Sequence, residues 1–159
     1  MNTETKTNSL ILVLDDKDLF IEECDGKDLI TEAKDVFAAC IDDHFEALGF
    51  NIPFASTPET NFKVYELDDD LPFEKIFKSI SKDLDKITFT PAQIINFCRK
   101  FRKVLPDNQY ALLFLTRNND HYFVVNSDVF SSGYGAEINP LHRPDVLMAD
   151  DYYYIVVPT

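Results

Sequence analysis

Residues 90–105 read TPAQIINFCRKFRKVL, and they carry the strongest helix signal in this chain of 159 residues. Thr90 suits the N-cap position, Pro91 suits the first helical position, and Gln93 can complete a capping box with Thr90. An apolar stripe follows at helical spacing, made of Ile94, Phe97, Cys98, Phe101, Val104 and Leu105. We therefore predict a helix whose phenylalanines lie in the core.

The opposite side of this predicted helix carries four basic residues, Arg99, Lys100, Arg102 and Lys103. They form the one concentrated positive face in an acidic chain. Such a face can contact a nucleic-acid backbone or an acidic partner. It can also neutralise the protein's own carboxylates, or follow the helix-dipole preference for cations near a C-terminus. We favour these last two interpretations, and we predict that Arg99 and Lys103 are exposed.

The segments before this helix alternate between short apolar runs and helical patterns. Two runs, residues 10–14 and 19–21, predict a β-hairpin. Residues 28–48 repeat apolar side chains at helical spacing and predict a long amphipathic helix. Residues 62–67 predict a short strand, and residues 72–84 predict a further helix with a proline in its first turn.

After residue 105 the apolar pattern changes from helical to strand-like. Residues 110–115 predict a buried strand, and residues 121–125 predict the strand that returns after a turn. Residues 136–138 and 152–157 predict two more strands. Helices thus precede an antiparallel C-terminal β-meander, which indicates an α+β fold with three main helices packed on an antiparallel sheet. We expect residues 1–8 to be a disordered tail and residues 9–159 to form a single domain.

The composition limits the classes of function. The net charge is −13 and the calculated pI is about 4.4. Direct nucleic-acid binding is disfavoured, because attraction to phosphates supplies most non-specific affinity and the sign here is wrong. An anionic membrane surface is disfavoured for the same reason. A protein partner with a basic surface suits this charge, and no cofactor motif is present in the sequence.

The cysteines and the N-terminus indicate a cytoplasmic protein. Three cysteines, Cys24, Cys40 and Cys98, cannot all pair within one chain, so a reducing compartment is the simpler interpretation. The first apolar run has five residues, which is too short for the core of a signal peptide or for a membrane span.

Two groups of aspartates are the predicted binding residues for a basic partner. They are Asp42 with Asp43, and Asp68 with Asp69 and Asp70. Calcium or magnesium would need several oxygens that converge on one point, and neither group has the spacing of a calcium-binding loop. We therefore predict no metal site and interpret these carboxylates as parts of an acidic surface.

Cys40 and His44 lie one turn apart in the predicted helix over residues 28–48. A thiol and an imidazole at this spacing can form a nucleophile–base pair. A buried thiol beside a hydrogen-bonded core histidine explains the same pattern. We favour this second interpretation, because burial in the middle of a helix does not lower the pKa of a thiol.

The segment from residue 112 to residue 140 combines an apolar strand, a returning strand that starts HYFVV, and the later sequence EINP. This order resembles the C-terminal half of papain-like cysteine peptidases, especially those that process bacteriocins. The resemblance implies that His121 is the catalytic base and that Asn139 orients it. Cys24 or Cys40 would then be the nucleophile.

Residues 71–159 show a second resemblance, which covers slightly more than half of the chain. An LPFEKIF helix, the segment TPAQIINFCRK, an apolar hairpin and a closing IVVP occur in that order. This order resembles a family of small uncharacterised bacterial proteins, and it implies no activity and no site residues.

We therefore predict a small acidic cytoplasmic protein that binds another macromolecule and is not an enzyme. An inhibitor that imitates the charge of nucleic acid is one specialised form of this function. The alternative is a papain-like cysteine hydrolase that uses His121 with Cys24 or Cys40.

Overall fold

A computed structural model describes residues 9–106 and 110–159 of the chain. Within these ranges the strands are Leu10–Leu14 (β1), Phe20–Ile21 (β2), Cys40–Ile41 (β3), Thr60–Leu67 (β4), Leu71–Pro72 (β5), Ala111–Asn118 (β6), His121–Phe130 (β7), Gly133–Pro140 (β8), Val146–Leu147 (β9) and Tyr153–Pro158 (β10). The α-helices are His44–Ala47 (α1), Phe73–Ile80 (α2) and Pro91–Phe101 (α3). Short 3-10 helices cover Ile30–Glu32, Leu84–Ile87, Arg102–Val104 and Ala149–Asp151. The predicted disordered tail, residues 1–8, lies outside the described residues.

The predicted fold class is wrong. Strands make up 38% of the structure and helical segments 24%, and only two of the three α-helices reach seven residues. The main sheet has eight strands in the order β1-β4-β10-β6-β7-β8-β3, with β2 paired to β4 beside this path. It is a mixed sheet rather than an antiparallel one, because β10 runs parallel to β6 and β3 runs parallel to β8.

The strand β10 does not extend a C-terminal meander, as the sequence predicts. It inserts at the centre of the sheet, where Ile155 lies opposite Leu113 of β6 on one side and Tyr65 of β4 on the other. Most residues of β6 and β10 are buried on both faces of the sheet. A continuous apolar run is typical of such a central strand, but it does not specify the neighbouring strands. This ambiguity explains the incorrect prediction.

The predicted helix over residues 28–48 is also wrong. The segment forms a 3-10 helix at Ile30–Glu32, the strand β3 and the four-residue helix α1. Strand β3 pairs with the edge of β8, so backbone hydrogen bonds to the sheet replace those of a helix. Val36, Phe37 and Ile41 also have weak helix propensities, and tertiary pairing outweighs the helical spacing of the apolar side chains.

Other local predictions are confirmed. The helix α3 begins at Pro91, and its capping box is complete. The Thr90 N–H donates to Gln93 Oε1 over 2.9 Å, and the Gln93 N–H donates to Thr90 Oγ1 over 3.4 Å. The hairpin of β6 and β7 and the strand β4 are present. The strands β1 and β2 also exist, but each pairs with β4 and they do not form a hairpin together.

The sheet is covered on both faces. On one face, α3 and the segments around residues 21–50 pack on Phe62, Leu112 and Phe114. On the other face, α2 and the 3-10 helix Leu84–Ile87 pack on Leu113 and Ile155. The result is a three-layer arrangement with the central strands between two apolar cores. Across residues 9–106 and 110–159, no helix is both long and apolar enough to cross a membrane.

Candidate functional site

Asp42, a predicted partner-binding residue, has a structural role. Its carboxylate accepts hydrogen bonds from the backbone N–H groups of His44 and Ile138, over 3.0 and 3.2 Å, and contacts His44 Nδ1 at 2.6 Å. Burial alone would raise the pKa of Asp42, but these hydrogen bonds hold it below its usual value. Asp42 therefore ties the start of α1 to β8, whereas Asp43 next to it is exposed.

The second predicted group, Asp68, Asp69 and Asp70, lies in the turn between β4 and β5. Asp70 Oδ1 accepts a hydrogen bond from the Ala149 N–H over 2.7 Å, so this turn is joined to the 3-10 helix Ala149–Asp151. The two predicted aspartate groups are thus attached to different strands. Asp70 connects to the segment that forms the rim of a cleft described below, whereas Asp42 lies beside β8 and β3.

The residues of the hydrolase alternative are not brought together. Cys40 pairs with Gly135 of β8, next to Tyr134, which lies opposite Val129 in β7. His121 lies at the other end of β7, eight residues away from Val129, which corresponds to about 26 Å along the strand. A nucleophile and its base need a separation of about 3–4 Å.

The other members of that set also make different contacts. Cys24 is buried, and its sulfur receives a hydrogen bond from Asn96 Nδ2 of α3 over 3.0 Å. His121 is exposed, and Asn139 Oδ1 accepts a hydrogen bond from Arg143 over 2.7 Å. Cys40 is exposed rather than buried as expected. Partial burial, followed by the negative charges of Glu137 and Asp128, raises the pKa of the Cys40 thiol.

The four basic residues at the end of α3 do not form one exposed face. Arg99 pairs with Asp35 over 3.0 Å, and Lys100 pairs with Glu22 over 2.7 Å, as expected if these cations neutralise the protein's own carboxylates. Lys103 is exposed. Arg102 is buried, so it does not belong to the basic face that the helical pattern indicates. The helix tightens into a 3-10 turn after Phe101, which directs Arg102 toward β7 instead of solvent.

Two of the cavities are compared as candidate sites, and only the larger one contains residues predicted from the sequence. The larger one, of about 410 Å³, is lined by Cys40, Asp42 and Asp43 among others. The smaller one, of about 240 Å³, opens on the α2 side of the sheet, between β7, β8, the start of β10 and the segment around β9. We call the smaller cavity the acidic cleft. Its lining consists of Phe73, Tyr110, Asn126, Asp128, Glu137, Arg143, Asp145, Val146, Leu147, Met148, Asp151 and Tyr153.

The acidic cleft contains an incompletely bonded polar group. Asn126 is only 8% exposed, and its Oδ1 atom has no hydrogen-bond partner among the residues that the structure describes. Glu137 lies directly opposite Asn126 across the β7–β8 pair, and Asp128 follows two residues later on the same face of β7. In the larger cavity, by contrast, the Asp42 carboxylate already accepts several hydrogen bonds. The acidic cleft is therefore the stronger candidate for a binding site.

Asp128 and Glu137 form a coupled carboxyl pair. The pKa of Asp128 is raised to about 7, first by burial and then by the charge of Glu137 and a hydrogen bond with it. The positive charge of Arg102, which is buried behind β7, acts in the opposite direction. A hydrogen bond between two carboxyl groups requires a proton on one of them, and the raised pKa assigns that proton to Asp128 below about pH 7.

We expect Asp128→Asn to stabilise the protein more at about pH 8 than at about pH 5. The pKa of Asp128 is higher in the folded than in the unfolded state, so its favourable contribution is complete below pH 4. It is lost as pH rises through about 7. An asparagine at residue 128 does not ionise, so the variant does not lose this stability as pH rises. The free energy of unfolding of the variant, relative to the parent, should rise by about 1–3 kcal/mol over that range.

Urea denaturation at both pH values would measure this difference. Asp150→Asn is the matched control, because Asp150 is exposed and does not line the cleft. A difference in stability between the Asp128 variant and the parent that does not change with pH would contradict the raised pKa of Asp128.

Asn126 and Asp128 are not among the site residues predicted from the sequence, and Glu137 enters only as part of the segment EINP. A signal was present, because residues 126–128 place Asn, Ser and Asp in the middle of a strand whose other central residues are apolar. Buried polar residues are more informative about function than exposed ones. Among the described residues, no group of His, Cys, Asp and Glu could hold a metal ion.

Comparisons with protein-family models, with curated proteins and with solved structures gave no significant match. The geometry of the acidic cleft is therefore the basis for the proposed function.

Proposed function

We propose that this protein is a non-enzymatic binding protein that recognises a partner with a basic surface, and that the acidic cleft is the centre of its interface. The observation that carries the proposal is the charge of the cleft. Among the described residues that line it there are four carboxyl groups, from Asp128, Glu137, Asp145 and Asp151, and one guanidinium, from Arg143. That guanidinium already pairs with Asp145 and with Asn139, so it leaves most of the negative charge uncompensated.

Carboxylates around one cleft favour the approach of a basic partner. Their summed field raises the association rate, and it has a smaller influence on dissociation. Asp70 is hydrogen-bonded to the rim segment at Ala149, so the predicted group Asp68, Asp69 and Asp70 extends the same acidic region. The more specific role, imitation of nucleic-acid charge, stays a prediction. A cytoplasmic location is part of the proposal, and the free state of all three cysteines supports it.

We expect association with the partner to slow markedly between 0.1 M and 1 M NaCl. The Debye length falls from about 10 Å to about 3 Å over this range, so steering by the cleft is screened. The double variant Asp145→Asn/Asp151→Asn should slow association at low salt by several-fold while dissociation changes less. The partner is first captured from an extract of the native host and identified by mass spectrometry. Its association and dissociation rates are then measured by surface plasmon resonance.

The matched control is Glu23→Gln/Glu59→Gln, which also removes two exposed carboxylates but lies outside the cleft lining. Asp42 and Asp70 are unsuitable for substitution, because their carboxylates hold backbone N–H groups. The proposal would be refuted if the association rate changed neither with salt concentration nor with the cleft substitutions. Equal slowing by the control pair would show that net charge, and not the cleft, determines the rate.

A further inference from the structure

The unpaired oxygen of Asn126 indicates the chemistry of the ligand. The residue is more than nine-tenths buried and lines the acidic cleft, and its Oδ1 atom accepts no hydrogen bond. A buried acceptor without a partner is unfavourable and rare in native proteins. A ligand that donates an N–H group at this point would remove the deficit. The unpaired acceptor calls for a hydrogen-bond donor, and the acidic lining independently calls for a cation, so the two features together indicate a cationic donor.

The acceptors of the cleft are arranged on two paired strands. Glu137 lies opposite Asn126, and residues opposed in this way have Cβ atoms about 4.5–5.5 Å apart. Asp128 is about 7 Å farther along the same face of β7. The three side chains thus project from the same face of the β7–β8 pair into one cleft. A planar guanidinium, which has five N–H donors in a divergent fork, suits this arrangement better than the compact ammonium group of lysine.

The aromatic walls favour the same group. Tyr110 and Tyr153 both line the cleft, and their ring centroids are 5.3 Å apart in an edge-to-face contact. Guanidinium groups stack on aromatic rings. The opposite face of β7 already shows a comparable arrangement, where Arg102 lies 3.6 Å from the centroid of the Tyr134 ring and donates to Ser127.

The size of the cleft limits the ligand to a side chain. Its volume of about 240 Å³ is below the range of roughly 300–1,000 Å³ that is usual for complete small-molecule ligands. A cavity of this size suits one long side chain that enters from a protein surface.

We propose that the acidic cleft binds the guanidinium group of one arginine side chain of the partner protein, with Asn126 Oδ1 and the carboxylates of Asp128 and Glu137 as acceptors. This inference rests on the proposed function, because it names the partner group that enters the cleft. It can be tested without the partner, since a small alkylguanidinium reproduces the end of an arginine side chain.

The test is a titration of the ¹⁵N-labelled full chain with n-propylguanidinium, followed by two-dimensional NMR at constant ionic strength. The expected result is a saturable shift of the Asn126 side-chain amide and of the backbone amides of residues 126, 128 and 137. Two further probes are n-butylammonium, which represents lysine, and the neutral isostere n-propylurea. Both should bind at least about tenfold more weakly, because one lacks the fork of donors and the other lacks the charge.

Two variants test the acceptors. Asn126→Leu removes the orphan oxygen, and Glu137→Gln keeps the shape while it removes a charge. Each should weaken n-propylguanidinium binding by about tenfold. Glu137→Gln keeps the test valid if Asn126→Leu does not fold. The control Asp150→Asn, which changes an exposed carboxylate outside the cleft lining, should bind the probe with parent affinity.

Several outcomes would overturn the inference. They are the lack of a saturable shift at the three cleft positions, binding that both acceptor variants leave unchanged, and equal binding of n-propylurea. Equal binding of n-butylammonium would overturn the assignment to arginine. Failure of these tests is distinct from failure of the proposed function. Salt-dependent partner association without probe binding would reject the arginine site alone, whereas salt-independent association would reject the acidic interface.

Discussion

Replacement of Phe97 by alanine should lower the free energy of unfolding by about 3–5 kcal/mol. Phe97 is fully buried in α3. Its ring centroid lies 4.9 Å from that of Phe62 in β4 and 5.5 Å from that of Phe114 in β6. It therefore connects the helix to strands on both sides of β10. The surrounding elements cannot collapse fully onto the space that the ring leaves, so a cavity adds to the lost transfer free energy.

Urea denaturation followed by circular dichroism would measure the loss. Phe130→Ala is the matched control, because Phe130 is 42% exposed at the end of β7, and it should cost less than about 1 kcal/mol. Phe101 is only partly buried, so the sequence prediction that it is a core residue holds only in part. Phe101→Ala should have an intermediate effect. Equal stability of the Phe97 and Phe130 variants would contradict the assigned core.

Arg102→Ala should also destabilise the protein, by about 2–4 kcal/mol. The Arg102 side chain is 3% exposed, and its two terminal nitrogens donate to the hydroxyl and the carbonyl oxygen of Ser127 over 2.5 and 3.0 Å. Alanine removes these charge-assisted hydrogen bonds and the contact with the Tyr134 ring. The matched control is Lys103→Ala, an exposed neighbour, which should change stability by less than about 0.5 kcal/mol.

The same substitution has an electrostatic signature. Arg102 lowers the pKa of Asp128 by Coulombic attraction, so its loss should raise the pKa of that carboxyl group further. A carbon-detected NMR titration of the Asp128 carboxyl group would report the change. A variant that is as stable as the Lys103 control, with an unchanged Asp128 pKa, would contradict the interpretation of Arg102 as a buried structural cation.

The sequence predicts those elements whose signals are local. The helix α3 is specified by Thr90, Pro91 and Gln93 within four consecutive residues, and the β6–β7 hairpin by two apolar runs around a short turn. Capping chemistry and strand alternation need no information about distant residues. The structure contains both α3 and the β6–β7 hairpin as predicted.

Predictions that depend on distant partners were less successful. Residues 28–48 have helical spacing, but Cys40 and Ile41 pair with the edge of β8, almost one hundred residues later in the chain. The central position of β10 depends on β4 and β6 together. The acidic cleft was missed for a similar reason. Asn126, Asp128 and Glu137 come together only through the register of β7 and β8, which a single sequence does not reveal.

The central position of β10 has a consequence for how the chain folds during synthesis. Strands β1 and β4 lie on one side of β10, and β6, β7 and β8 lie on the other. The edges of β4 and β6 that pair with β10 stay uncovered until residues 153–158 emerge from the ribosome. By then, β4 has been synthesised for about ninety residues. Such long-range pairing gives a high contact order and slow folding. The open edge of β4 is then exposed to other nascent chains, and a chaperone that shields it would improve the yield of folded protein.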